Sequence, residues 1–306
     1  MNNADLFLVK FAASGKASGL ALEDGDRLTS LANQNHDVSL DWLLSSAPHV
    51  PHAAELIDAL AGVAGEVLDG ATVTHQAPVD TQEIWAAGVT YKRSEEAREA
   101  ESSNSNIYSR VYRAERPEVF FKSMGYDALG SGQAVGIRYD ATWSVLEPEL
   151  VVVLNAGMEV IGFTIGNDMS SRDIEGANPL YLPQAKVYEG ACAIGPRIWL
   201  QPGRTTWPDL KIEIGIERGG QLAFSGETST AAIHRPLTEL IDYLGRCKRF
   251  AKGALLFTGT GIVPPDTFTL AEGDTIRIRI DPIGELVNTV RVITGHERPL
   301  QKEIKA

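Results

Sequence analysis

Two stretches, "KIEIGIE" (211–217) and "TIRIRI" (275–280), place isoleucine at every second position with polar or small residues between. Alternation with a period of two puts all the isoleucines on one face of an extended chain, so each stretch predicts a half-buried strand. From about residue 83 onward the chain repeats short apolar runs bounded by turn residues: "IWAAGV", "EVFFKS", "AVGIRY", "ELVVVL", "EVIGFTIG", "ACAIGPRIWL" and "GELVNTVRVI". A mainly β body follows. One helical pattern interrupts it, "PLTELIDYLGRCKRF", with Leu237, Leu240, Ile241, Leu244 and Cys247 on one face, which reads Cys247 as core.

Residues 1–78 differ. Strand-like pieces "DLFLVKFA" and "ASGLALEDGDRLTSL" precede two helical patterns: "SLDWLLSSA", with Ser39 as N-cap, and "HAAELIDALAGVAGEVL". This predicts a small N-terminal α/β accessory domain (1–78), joined through "TVTHQAPVDTQ" to a main domain (79–306). The polar segment 93–116, rich in Glu, Arg, Ser and Asn, reads as a lid over the main domain.

A chain of 306 residues can bury a sizeable core, and 43% hydrophobic with 22% charged residues is ordinary for a globular protein. A net charge of −12 without a basic stripe argues against nucleic acid, and an anionic ligand would need local cations or a metal. Cys192 and Cys247 lack metal-site spacing. Neither a signal peptide nor a membrane span is expected, so the default location is the cytoplasm.

Chemistry enters at "SVLEPELVVVLN" (144–155), where Glu147 and Glu149 open a run in which five of the next six residues are Leu or Val. Residues i and i+2 of a strand share a face, so the carboxylates sit side by side, and Pro148 between them suggests a sheet edge or rim. Spacing alone leaves three readings: a solvated strand end, a pair met by arginines, or a pair holding a cation. Asp168, ending the apolar run of "GFTIGND", offers a third carboxylate; three carboxylates without a soft ligand suit Mg2+ or Mn2+. Lys186 lies in the polar stretch that follows, where it is either a surface lysine or the partner of a bound anion.

These segments, "EPELVVVL", "GFTIGNDMSSRDIE", "LPQAKVYEGACAIGP" and "LLFTGTGIVPP…LAEGDTIRIRIDPIGELVNTV", resemble the fumarylacetoacetate hydrolase superfamily in the same order over roughly 80–293. The resemblance implies an α+β, mainly β fold with a mixed β-roll or β-sandwich catalytic domain and chemistry on 2-oxo or diketo acids. It implies Glu147, Glu149 and Asp168 as ligands of Mg2+, with Mn2+ or Ca2+ as substitutes. It places Lys186 beside the substrate and Thr260 where its carboxylate is received. A homodimer or homotetramer is the family's habit.

Hydrolases of this superfamily carry a His and a Glu, three apart, after a "G.NY" strand end, to activate water. Here the corresponding stretch is "GVTYKRSEEAREAE", with Ser94 and Ala97 at those positions, and no histidine lies between His75 and His234. The sequence is more similar to the 2-keto-3-deoxypentonate (arabinonate-type) dehydratases. Dehydration of such a 2-oxo sugar acid needs a Lewis acid, a base near C3 and an acid near the C4 oxygen, but no lytic water. Glu118, opening "EVFFK", and Lys186 are the candidates for base and acid. Glu118 is otherwise a solvated strand end or an ion-pair partner of Arg116. Arg93, Lys122 and Arg172 are candidate substrate-binding cations or surface salt-bridge partners, and Asp173 and Glu175 are read as orienting the site rather than ligating. The alternatives are a hydrolase cleaving a carbon–carbon bond of an acylpyruvate or diketo sugar acid, and a non-catalytic metal or sugar-acid binding protein.

Overall fold

The isoleucine alternation is realised in a five-stranded sheet ordered Gln221–Ser229, Lys211–Arg218, Thr275–Ile280, Gly284–Ile293, Ala134–Arg138. Ile212, Ile214 and Ile216 lie opposite Ile280, Ile278 and Ile276, all buried, while the intervening charged residues face out. The computed structural model describes residues 5–13, 19–33, 36–45, 52–93 and 106–294.

A larger, 12-stranded sheet packs against this one. Its central order is Leu6–Ala13, Cys192–Leu200, Val160–Asp168, Pro148–Leu154, Ala254–Phe257, Glu83–Gly88, Glu118–Met124. Most pairs are antiparallel, but Ala254–Phe257 runs parallel to Glu83–Gly88, and Gly284–Ile293 parallel to Ala134–Arg138. Leu150, Val152, Phe163 and Ile165 interleave with the isoleucines of the smaller sheet. On the opposite face Val151, Val153, Ile161 and Leu255 pack with Leu40, Leu43, Leu44, Leu56 and Leu60 of the N-terminal helices. With both faces covered, all seven residues of Pro148–Leu154 are buried. The fold is α+β, mainly β with mixed sheets.

The strands of segment 1–78 extend the large sheet: Phe7 and Leu8 pair with Trp199 and Ile198. Helix Leu40–Leu44 begins as the sequence predicts, the Ser39 hydroxyl accepting from the Trp42 N–H at 3.1 Å. The second helical pattern stops early. Helix Leu56–Gly62 ends at a glycine, and Ala64–Leu68 becomes a strand on Arg27–Asn33. Helix Leu237–Gly245 likewise ends at Gly245, which leaves Cys247 beyond it and exposed rather than in the core. Pro148 is not at an edge. It is the first residue of an interior strand, where its missing N–H disrupts no ladder. Of the polar segment 93–116, residues 94–105, including Ser94 and Ala97, lie outside the described residues; Asn106–Arg113 is a helix. No helix among the described residues is long and apolar enough to cross a membrane.

Candidate metal and active site

Strands Pro148–Leu154 and Val160–Asp168 run antiparallel, and just before the first of them Glu147 exchanges backbone hydrogen bonds with Asp168 (3.1 and 2.9 Å). This fixes the carboxylates of Glu147, Glu149 and Asp168 around one point, with ligand oxygens all within 4.8 Å of one another. Their exposures are 5%, 1% and 1%, so the solvated strand end is excluded. A carboxylate removed from water costs several kcal/mol unless its charge is met.

Three buried cations meet part of it. Lys186 Nζ lies 2.9 Å from Glu147 Oε1 and 2.9 Å from Asp168 Oδ2, and donates to Ser170 Oγ at 2.6 Å. Lys122 Nζ contacts Asp168 Oδ1 and donates to the carbonyls of Lys186 (2.6 Å) and Met169 (3.1 Å). Arg172 Nη2 lies 3.0 Å from Glu147 Oε1. Glu149 is different: among the described residues its hydrogen-bond donor is the Gly259 N–H, at 2.5 Å. Burial, with Asp168 and Glu147 adding like charge, holds its carboxyl well above the ordinary carboxylate range. A buried carboxylate without an ion-pair partner among the described residues, aimed where two others converge, fits a hard divalent cation with oxygen ligands. The triad is therefore placed to hold a metal.

The carboxylates open into a cleft whose lining includes Gly88, Val89, Glu118, Phe120, Lys186 and Thr260. Glu118 pairs with Gly88 across the sheet, and its carboxylate lies over the glycine so closely that a Cβ at residue 88 would fall 2.0 Å from Oε2. On the far wall Gly259 has φ +84°, a left-handed conformation that turns its N–H to Glu149; a Cβ there would lie 2.1 Å from the Thr90 hydroxyl. Thr90 Oγ1 donates to the Thr258 carbonyl (2.6 Å) and Thr258 Oγ1 to that of Leu150 (2.8 Å), fastening this turn to the glutamate strand. Val89 carries φ 52°, a strain of order 1–3 kcal/mol for a β-branched residue, stored at the cleft wall.

The structure brings together Glu118, Glu147, Glu149, Asp168, Lys186 and Thr260 around the cleft. Lys122 and Arg172 stand behind the carboxylates rather than in the lining. Arg93 is exposed and outside the lining. Glu175 lines the cleft, whereas Asp173 Oδ2 accepts from the Thr142 N–H and hydroxyl (2.7 and 2.9 Å). Sequence reasoning missed Ser170, whose hydroxyl lies between Lys186 and Glu147 (2.6 and 3.1 Å), and Gly259. Ser170 had a signal, since it stands two residues after Asp168 on an extended chain.

Fold and site together define a β-sheet enzyme built around a buried carboxylate triad placed to hold a metal. Residues 83–291 match the fumarylacetoacetate (FAA) hydrolase C-terminal family, and the chain belongs to that family. It is 46% identical over 230 residues to the probable 2-keto-3-deoxyxylonate dehydratase of Haloferax volcanii (74% of this chain, 79% of that one). It is 39% identical over 218 residues to the 2-dehydro-3-deoxy-D-arabinonate dehydratase of Saccharolobus solfataricus (70% and 73%). A solved 2-keto-3-deoxy-D-arabinonate dehydratase complexed with magnesium and 2,5-dioxopentanoate superposes with a TM-score of 0.77 at 30% identity, over 95% of this chain and 100% of that one.

Proposed function

We propose that the chain dehydrates a 2-keto-3-deoxypentonate of the arabinonate or xylonate type to 2,5-dioxopentanoate, the semialdehyde of 2-oxoglutarate. The observation that carries this reading is the convergence of Glu147, Glu149 and Asp168 beside Lys186, in a cleft rimmed by Glu118 and lined by no histidine among the described residues. The dehydratase relatives support it. Glu147, Glu149 and Asp168 would hold Mg2+, with Mn2+ or Ca2+ as substitutes, and the ion would supply Lewis acidity at the substrate's 2-oxo group. Lys122, Lys186 and Arg172 offset three of the five carboxylates at the cleft (Glu118, Glu147, Glu149, Asp168 and Glu175), and a divalent ion would offset the other two, so the pocket would carry no net negative charge. That suits an anionic substrate despite the net charge of −12.

The side chains divide the proton work. The Lys186 ammonium has acceptors in Glu147, Asp168 and Ser170, which holds it protonated as a fixed positive charge. Glu118 is then the base: its carboxylate takes the C3 proton and delivers it to the departing C4 hydroxyl, which leaves as water. The hydroxyl-bearing C5 becomes the aldehyde by tautomerisation, so substrate equals product plus one water. Thr260, in the lining of the cleft, receives the substrate carboxylate. The reaction belongs to non-phosphorylative pentose catabolism in the cytoplasm, carried out by a homodimer or homotetramer.

Incubation with Mg2+ and both C4 epimers of 2-keto-3-deoxypentonate tests this. 2,5-Dioxopentanoate is the expected product, and Glu118→Gln should abolish it while keeping metal binding. Pyruvate plus an aldehyde would assign carbon–carbon cleavage instead, and bound ligand without turnover a binding protein.

A further inference from the structure

Glu118 needs an address as well as a carboxylate. It opens its strand only five residues after helix Asn106–Arg113 ends, and a helix of eight residues is marginal alone. The last carbonyls of such a helix have no partners within it, and its C-terminal end carries partial negative charge.

One side chain meets both needs. The Arg235 guanidinium, 5% exposed, donates through Nη2 to the carbonyls of Val111 (3.0 Å) and Ala114 (2.7 Å) and through Nη1 to that of Glu115 (3.5 Å). Glu239 Oε1, 2.5 Å from Nη1, holds the guanidinium from the other side. The residues around it grip the same region. The His234 ring stacks on Tyr112 of the helix with centroids 4.7 Å apart. The His234 N–H donates to the Thr90 carbonyl at 2.9 Å, and Ile233 bridges Tyr91. Thr90 in turn fastens the turn that donates to Glu149. Past the helix, Arg116 lies over the Tyr243 ring at 5.2 Å.

We propose that Arg235 is a positioning residue for the reaction: by gathering the Val111, Ala114 and Glu115 carbonyls it fixes where the chain enters the Glu118 strand, and so where the Glu118 carboxylate meets C3 of the substrate. The inference rests on the dehydratase reading for what Glu118 does, and on geometry alone for what Arg235 holds. A planar fork with donors on separate nitrogens holds several carbonyls in one fixed geometry, which the single nitrogen of a flexible lysine does not reproduce. Displacement of a catalytic group by about 1 Å costs on the order of 10²-fold in rate.

The full-length protein tests it with Arg235→Gln, Arg235→Lys and Glu239→Gln, the last a milder variant that loosens the guanidinium without removing it. In Arg235→Gln, kcat should fall by about 10²-fold with KM held within about threefold, the Mg2+-induced rise in Tm should persist, and amide hydrogen exchange should accelerate at 106–120 but not in the five-stranded sheet. Arg235→Lys should restore Tm but only part of kcat, and Glu239→Gln should show the same local exchange to a smaller degree. Unchanged exchange at 106–120 would overturn the proposal, as would exchange rising throughout the molecule in step with a lower Tm, or a full rescue of kcat by lysine. If the wild-type protein dehydrates neither epimer, the dehydratase reading fails, while the exchange data still decide what Arg235 holds.

Discussion

Strands Pro148–Leu154 and Lys211–Arg218 are of nearly equal length, and both place charged residues beside β-branched ones, yet they use charge in opposite ways. In Lys211–Arg218 burial alternates and the charges face water: Lys211 reaches Glu213 and Glu227 at 2.8 Å, all three exposed. Around Pro148–Leu154 the carboxylates point inward: Glu147 is met by Lys186 and Arg172, the neighbouring Asp168 by Lys122 and Lys186, and Glu149 is left to be met by a metal. A charge that the fold lets reach solvent is dispensable; one that it buries, with three cations arranged around it, is there for chemistry.

The sharpest way to break that contrast is Glu149→Gln. Turnover should fall by at least about 10³-fold, as expected when an electrostatic centre of the transition state is lost, and the Mg2+-dependent rise in Tm should disappear. The metal-free variant should be no less stable than wild type, because the amide removes a buried like charge and still accepts from Gly259; full activity would sink the metal-site reading. Lys122→Met comes next. It leaves Asp168 Oδ1 without its cation and two carbonyls without their donor, with Lys186 still at Asp168 Oδ2, and urea unfolding should show a loss of about 3 kcal/mol, the lower end for breaking one side of a buried pair. Lys211→Ala should change neither Tm nor turnover measurably, since its partners are solvated. A large effect there would erase the distinction between the two strands.

Much of this was legible in the residues. The Ile-x-Ile alternation gives the smaller sheet, Ser39 the first helix, and the ExE spacing a shared face for Glu147 and Glu149, because each depends on spacing that the backbone converts directly into direction; that Asp168 joins them as a ligand was implied by the family resemblance. What was illegible depends on tertiary partners. Gln221–Ser229 is absent from the apolar runs that the sequence offers, and it forms a strand along Lys211–Arg218. The segment Ala64–Leu68 continues a helical pattern until Arg27–Asn33 offers it a ladder. Lys122 was placed with substrate-binding cations, but its partners are Asp168 and two carbonyls, 46 or more residues along the chain. Nothing in "EVFFKS" shows that its lysine turns to the back of the site.

The pairing of Leu6–Ala13 with Cys192–Leu200 bears on any attempt to trim the molecule. Cys192 stands opposite Asp168, so the strand that the N-terminal residues cover is next to the one that ends in a proposed metal ligand. Cutting away the first 78 residues would yield not a minimal catalyst but a raw seam, open to pairing with any passing chain, one strand from the active centre. In engineering terms the N-terminal segment is a hem: it can be restitched with other sequences, but it cannot be left off.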